Sequence, residues 1–369
     1  MKYLDKKTLD NRNYGIDLLR IIAMFFVVIL HSLGHGGLLY NTVIGSYQYK
    51  FVWLLEIFAY CAVNIFALIS GYISYTDKEK KMNYTNYIML WLQVVFYGVV
   101  ISIILNLINT SYVERIDFLN AFFPVTKKMY WYFTAYTGLF VIMPIINNGI
   151  RNCDNKNLKK LFIIIFIVFT FSEIISPKFI LNGGYSFIWI TIMYILGLIL
   201  KKTQIGNNIK KYQIIIGIIL LYIITYLYKI YGLEISRFGI NITKDILISY
   251  TSPTILGIAI LYVILFSRIK LNNLFIKIIK FAAPSTFSIY LINDNDLIRR
   301  NIITNLFSNL IDNSIIDIFI TIVGFSLLFV IVSIFIDKIR IFLFKKFRIR
   351  EIVDKIIYFF NALLDKVVS

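Results

Sequence analysis

Long apolar runs recur along the whole chain, and charged residues are confined largely to the short stretches between them. A hydrocarbon core of about 30 Å takes roughly 20 apolar helical residues to cross. Runs of that kind lie near 16–39, 51–75, 87–109, 130–150, 159–176, 183–201, 212–232, 246–267, 275–298 and 314–336. The pattern predicts an all-α protein, a polytopic integral membrane bundle of about ten transmembrane helices. Every second connection is basic: Lys78, Lys80 and Lys81; then Arg151, Lys156, Lys159 and Lys160; then Lys201, Lys202, Lys210 and Lys211; then Arg268, Lys270, Lys277 and Lys280. The amino-terminal Lys2, Lys6, Lys7 and Arg12 and the carboxy-terminal Lys338, Arg340, Lys345, Lys346, Arg348 and Arg350 fall on the same side, so the excess of positive charge inside predicts that both termini are cytoplasmic.

After the last run, "DKIRIFLFKKFRIREIVDKIIYFFNALLDKVV" alternates basic and apolar positions in a helical rhythm, as expected of a helix lying on anionic lipid. The division is therefore one transmembrane domain over 1–336 and a basic amphipathic cytoplasmic tail over 337–369; no repeat or low-complexity linker breaks the domain. The first run follows a mixed-charge lead without an Ala-x-Ala-like cleavage site, so it reads as a retained span.

Composition agrees with a membrane protein: 59% of 369 residues are hydrophobic, 16% are charged and the mean hydropathy is +0.76. The balance of 38 Lys plus Arg against 20 Asp plus Glu would suit nucleic acid on a soluble protein, but here the cations sit in clusters between apolar runs and the membrane accounts for them. Cys61 inside an apolar run and Cys153 in a basic connection form neither a disulfide framework nor a zinc pattern. Gly-x-Ser-x-Gly, the Walker loop, the dinucleotide glycine pattern and His-Glu-x-x-His are all absent from the sequence, which leaves serine hydrolases, ATP-driven pumps, dinucleotide enzymes and zincins unsupported.

Within "RIIAMFFVVILHSLGH", at 20–35, Arg20 and His31 are eleven residues apart. On a helix that is three turns plus about 20°, one face, and about 16 Å along the axis. Ionisable groups at membrane depth usually face a bundle interior or a watery cavity. Two bland readings stand beside this: Arg20 snorkels to the headgroups, and His31 is a core histidine satisfied by a carbonyl. His31 and His35 at i and i+4 could share a metal, but no third ligand matches them and Gly34, Gly36 and Gly37 suggest that the helix ends there; no metal is expected. A buried imidazole tends to be neutral, the form a general base needs. Asp17, one turn before Arg20, either pairs with it or sits at the positive end of the helix dipole. Asn64 and Ser70 in the second run are either supporting polar groups or glue between helices. Glu56 either polarises a substrate hydroxyl or is interfacial. Trp131, Tyr132, Tyr185 and Trp189 suit the interfacial aromatic belt or the stacking of sugar rings.

At these residues the sequence resembles a known family. "GIDLLRIIAMFFVVILH" resembles the opening signature of membrane acyltransferase family 3, in which an Arg or Lys is followed ten residues later by His. "VNIFALISGY" at 63–72, "YWYFTAYTGLFVIMPIIN" at 130–147, "GGYSFIWITIMYILGLILKK" at 183–202 and "PSTFSIYLI" at 284–292 are similar to its later motifs, in its order and over nearly the whole chain, particularly those of the branch that acylates surface polysaccharides.

The resemblance implies an O-acyltransferase of a bacterial cytoplasmic membrane. It would move an acyl group, commonly acetyl, from acyl-CoA (acetyl-CoA) as co-substrate to a hydroxyl of a surface glycan or its lipid-linked precursor. No bound cofactor is implied. His31 matches the catalytic histidine and Arg20 the donor-binding cation; Tyr290 and Asn293 fall in the last motif. Many relatives carry a histidine after "YLI", where this chain reads Asn293-Asp294-Asn295-Asp296. Either that histidine is needed for turnover, and then this protein is impaired or Asp294 or Asp296 replaces it, or it orients substrate and Asn293 suffices. The competing class is a transporter or flippase of a lipid-linked sugar, which also needs many helices and few intramembrane charges; the paired broken helices typical of transporters are not seen in the sequence.

Overall fold

A computed structural model of the protein describes residues 12–78, 83–175, 181–236 and 246–368. Lys2, Lys6, Lys7, Lys80 and Lys81, used above to orient the chain, lie outside the described residues, as does Ser369. Those described are helical with no strand among them, and seven helices are long and apolar enough to cross a membrane.

Each of the ten apolar runs contains helix. The elements are α1 (Tyr14–Gly34), α2 (Tyr47–Ala59), α3 (Ala62–Ser74), α4 (Tyr84–Ile108), α5 (Arg115–Phe122), α6 (Trp131–Asn152), α7 (Asn155–Ile175), α8 (Phe187–Thr203), α9 (Lys211–Ser236), α10 (Pro253–Phe266), α11 (Asn273–Ala282), α12 (Thr286–Asn293), α13 (Ile315–Lys346) and α14 (Ile349–Val368). The seven long spans are α1, α2 with α3, α4, α6, Lys211–Gly232 of α9, α11 through α12, and α13. Helices α7, α8 and α10 occupy the remaining three runs.

Local chemistry sets the ends. Asn13 accepts from the backbone N–H of Ile16 to cap α1, and Ser252 with Pro253 starts α10 seven residues later than the run begins. The run 51–75 breaks between Ala59 and Ala62, where Tyr222 of α9 donates to the Phe58 carbonyl at 2.9 Å, satisfying an acceptor that a continuous helix would use. The run expected to end at 298 stops at Asn293: Asn295 turns its side chain to the N–H of Leu297 at 3.0 Å and opens a new short turn. The last span runs on to Lys346, ten residues beyond its apolar stretch, before α14 begins.

Helix α1 is the axis of the bundle, touching α2, α3, α10, α11, α12 and α13. The most extensive pairing is α3 with α8, where Gly71 faces the Tyr194 carbonyl and Gly197 faces the Leu68 carbonyl so closely that a methyl group at either would collide. Small residues at such a crossing let two backbones meet where lipid gives no hydrophobic drive to association. The side chains left exposed are those the bilayer would cover, such as Ile216, Leu220 and Ile224 along α9.

Candidate active site

Helix α1 is unbroken from Arg20 to His31, so both project along the stripe the spacing predicts. At the first end, Asp17 stands between two cations: Arg12 donates to it at 2.5 Å, and an Arg20 nitrogen lies 3.6 Å away. Arg20 is one-fifth exposed. With Arg12, Asn13 and Asp17, and with Tyr72, Lys201 and Lys202 from the ends of α3 and α8, it borders a hollow of about 750 Å³. Lys202 donates to the carbonyls of Ile150, Arg151 and Cys153, which ends α6 on a fixed positive charge. Lys201 lies over the Tyr72 ring at 5.0 Å.

At the other end, His31 Nδ1 meets Asn293 Oδ1 at 2.6 Å across 262 positions of sequence. The amide oxygen can only accept, so this contact uses an Nδ1–H donor, and in a neutral imidazole that arrangement leaves the lone pair on Nε2. Asp294 approaches Nε2 at 3.9 Å and is itself 3.8 Å from Arg299, which also pairs with Asp296. Tyr130 supports this turn from α6's start, donating to the Leu291 carbonyl at 2.8 Å and accepting from Asn295 at 2.9 Å. His31 is one-fifth exposed, and its opening is a small chamber of about 50 Å³ walled by Met24, Val27, Val63 and a ring of aromatic side chains.

A third hollow of about 290 Å³ lies between these ends. Arg20 borders it as well as the large hollow, and Phe66, Tyr132 and Phe287 border it as well as the His31 chamber. The three spaces therefore form a series sharing walls, from Arg20 to His31.

The other residues singled out by sequence divide into two groups. Ser70 borders the middle hollow, its hydroxyl spent on the Phe66 carbonyl at 3.0 Å. Trp131, Tyr185 and Tyr290 border the His31 chamber, Tyr185 packing on Trp131 with ring centres 4.9 Å apart. Asn64 and Trp189 do not border it. The indole of Trp189 donates to Asn64 at 2.9 Å and Asn64 donates to the Tyr250 carbonyl at 2.7 Å, a buried tie between α3, α8 and the turn before α10. Glu56 is buried. His31 and His35 rings lie 5.2 Å apart, and no group of three or more His, Cys, Asp or Glu gathers among the described residues.

The sequence does not mark Phe66, Tyr250 and Phe287 as walls; Tyr132, next to Trp131, is visible as a belt or sugar-stacking residue, and Asp294 only as a substitute for a missing histidine.

Residues 13–338 match the family model of an acyltransferase domain, acyltransferase family 3. The chain belongs to that family. The match takes in every wall and contact of this site except Arg12, and it makes the protein a multi-pass membrane acyltransferase. Among curated proteins and solved structures, none matches the chain.

Proposed function

We propose that this acyltransferase carries a short acyl group, acetyl above all, from acyl-CoA to a hydroxyl of a surface polysaccharide or its lipid-linked precursor. It does so in a bacterial cytoplasmic membrane, with ten spans and both termini cytoplasmic. The series of hollows sharing walls between Arg20 and a histidine bonded through Nδ1 to Asn293 carries the reading.

In this reading the guanidinium of Arg20 takes donor phosphate by paired hydrogen bonds. The donor's flexible arm lies along the middle hollow and presents its thioester to the chamber. Nε2 of His31 removes the acceptor hydroxyl's proton as that oxygen bonds to the thioester carbon. The tetrahedral intermediate collapses with cleavage of the carbon–sulfur bond, and the imidazolium returns the proton to the departing thiolate. Asp294 stabilises the imidazolium during the interval, as a nearby carboxylate must. Asn293 is buried and does not border the chamber, so it acts on the reaction through its bond to Nδ1, fixing the orientation of the imidazole.

The test uses membranes holding the protein, supplied with acetyl-CoA labelled in the acetyl group. Label should appear in alkali-labile ester on the glycan fraction; sugar crossing the bilayer with no label attached would overturn the reading in favour of a flippase.

Two variants probe the parts. Arg20→Ala should raise KM for the donor by about 10- to 100-fold, the weight of a charged hydrogen bond, with a smaller change in kcat; initial rates against donor concentration measure the split. Asn293→Leu should lower kcat on the order of 100-fold with donor KM little changed, since it removes the partner that orients Nδ1.

A further inference from the structure

The space beside His31 is far smaller than the two hollows on the Arg20 side, and the walls it shares with the nearer one are aromatic. Phe66 of α3, Tyr132 of α6 and Phe287 of α12 each border both the 290 Å³ middle hollow and the 50 Å³ chamber. Phe66 meets Tyr132 edge to face with ring centres 5.7 Å apart, Tyr132 meets Tyr290 at 6.2 Å, and Tyr290 meets Phe287 at 6.1 Å. The four rings thus form a connected arc drawn from three helices. Tyr132 and Tyr290 are buried, so the arc is backed by packed side chains.

We propose that Phe66, Tyr132 and Phe287 set the length of acyl chain this enzyme accepts. The inference rests on the acyltransferase reading above and adds to it the residues that choose the donor. For His31 to deprotonate an attacking hydroxyl, the thioester carbon must stand at the collar and the carbons beyond it must occupy free space there. A cavity of ~150 Å³ takes a benzene ring, and the chamber has roughly a third of that. A two-carbon acyl group fits it. Each added methylene must displace one of the collar rings, and a close-packed wall does not yield without a cost that grows with every carbon. Phe66 and Phe287 are only half-buried and border the wider hollow, so shortening either opens the chamber toward the donor's side.

The experiment compares kcat/KM for acetyl-, propionyl-, butyryl- and hexanoyl-CoA. It uses the full chain in native-lipid nanodiscs, with the glycan fraction of the expressing cells as acceptor and ester-linked acyl groups counted by mass spectrometry. The native enzyme should favour acetyl over butyryl by about 100-fold or more, the discrimination that one or two methylenes produce in a tight pocket. Phe66→Ala and Phe287→Ala should shrink that ratio at least tenfold; the ratio is taken within each variant, so a general loss of activity divides out. Phe66→Leu and Phe287→Leu, which disturb packing less, should move it the same way by a smaller factor. A native enzyme that uses butyryl as readily as acetyl overturns the ruler while leaving the acyltransferase standing, as does an acetyl-to-butyryl ratio that stays fixed across active variants. Absence of transfer from every donor overturns both.

Discussion

A His31→Ala variant should transfer acyl groups about a thousandfold more slowly than the native protein, or worse, and should stay folded, if His31 is the base proposed above. The rate follows from role: a positioned general base contributes on the order of 10²–10⁴, and no other imidazole lies within the chamber, since His35, with its ring 5.2 Å from that of His31, is not among the residues that border it. The stability follows from position. His31 borders a cavity and is one-fifth exposed, so truncating it removes one hydrogen bond to Asn293 and little packing. His31→Gln sharpens the test, because a glutamine amide can still bond Asn293 yet has no nitrogen that takes up a proton near neutral pH. It should be as inactive as the alanine variant. Label incorporated into glycan ester, measured beside melting in detergent, decides the matter: a His31→Gln enzyme with more than a tenth of native turnover would mean that His31 only shapes the pocket.

How much of this was readable in advance depends on the range of the interactions involved. Hydrophobic periodicity is local, so the ten runs mark where helix forms, and the stripe shared by Arg20 and His31 is a property of one unbroken helix. Breaks inside runs are different. At the interruption after Ala59 the Phe58 carbonyl is taken by Tyr222, more than 160 positions away, together with the Cys61 thiol, and the Tyr222 contact is not readable from the run itself. The site follows the same rule. Asn293 was visible as a departure from a pattern, but its bond to His31 joins two helix ends through tertiary packing. Polar residues inside apolar runs were ambiguous for a physical reason: Asn64 and Ser70 are similar in sequence, yet Asn64 is consumed by Trp189 and Tyr250 while Ser70 reaches the wall of a hollow. Burial of a polar group demands a partner, and only the fold says whether that partner is protein or substrate.

The largest effect on stability should come from a place that sequence showed only as part of the basic tail. Asp337 is fully buried in α13, and Arg340, one turn on, donates to it from Nε at 2.8 Å and from Nη2 at 2.9 Å. Tyr97 of α4 donates to the same carboxylate at 2.8 Å. Asp337→Ala leaves a buried guanidinium without its counter-charge and Tyr97 without its acceptor. Breaking such a pair from one side costs about 3–5 kcal/mol. For a chain of this size that corresponds to roughly a 4–7 °C fall in melting temperature. Replacing both members, Asp337→Leu with Arg340→Leu, removes the stranded charge and should recover the part of the loss due to it, while the Tyr97 hydroxyl still lacks its acceptor. The consequence reaches the active site, since α13 packs on α12, whose last residue holds His31. In the single variant, kcat should fall together with stability, and in the double variant the two should return together. A double variant as unstable as the single one would show that shape, rather than charge, holds α13 in place.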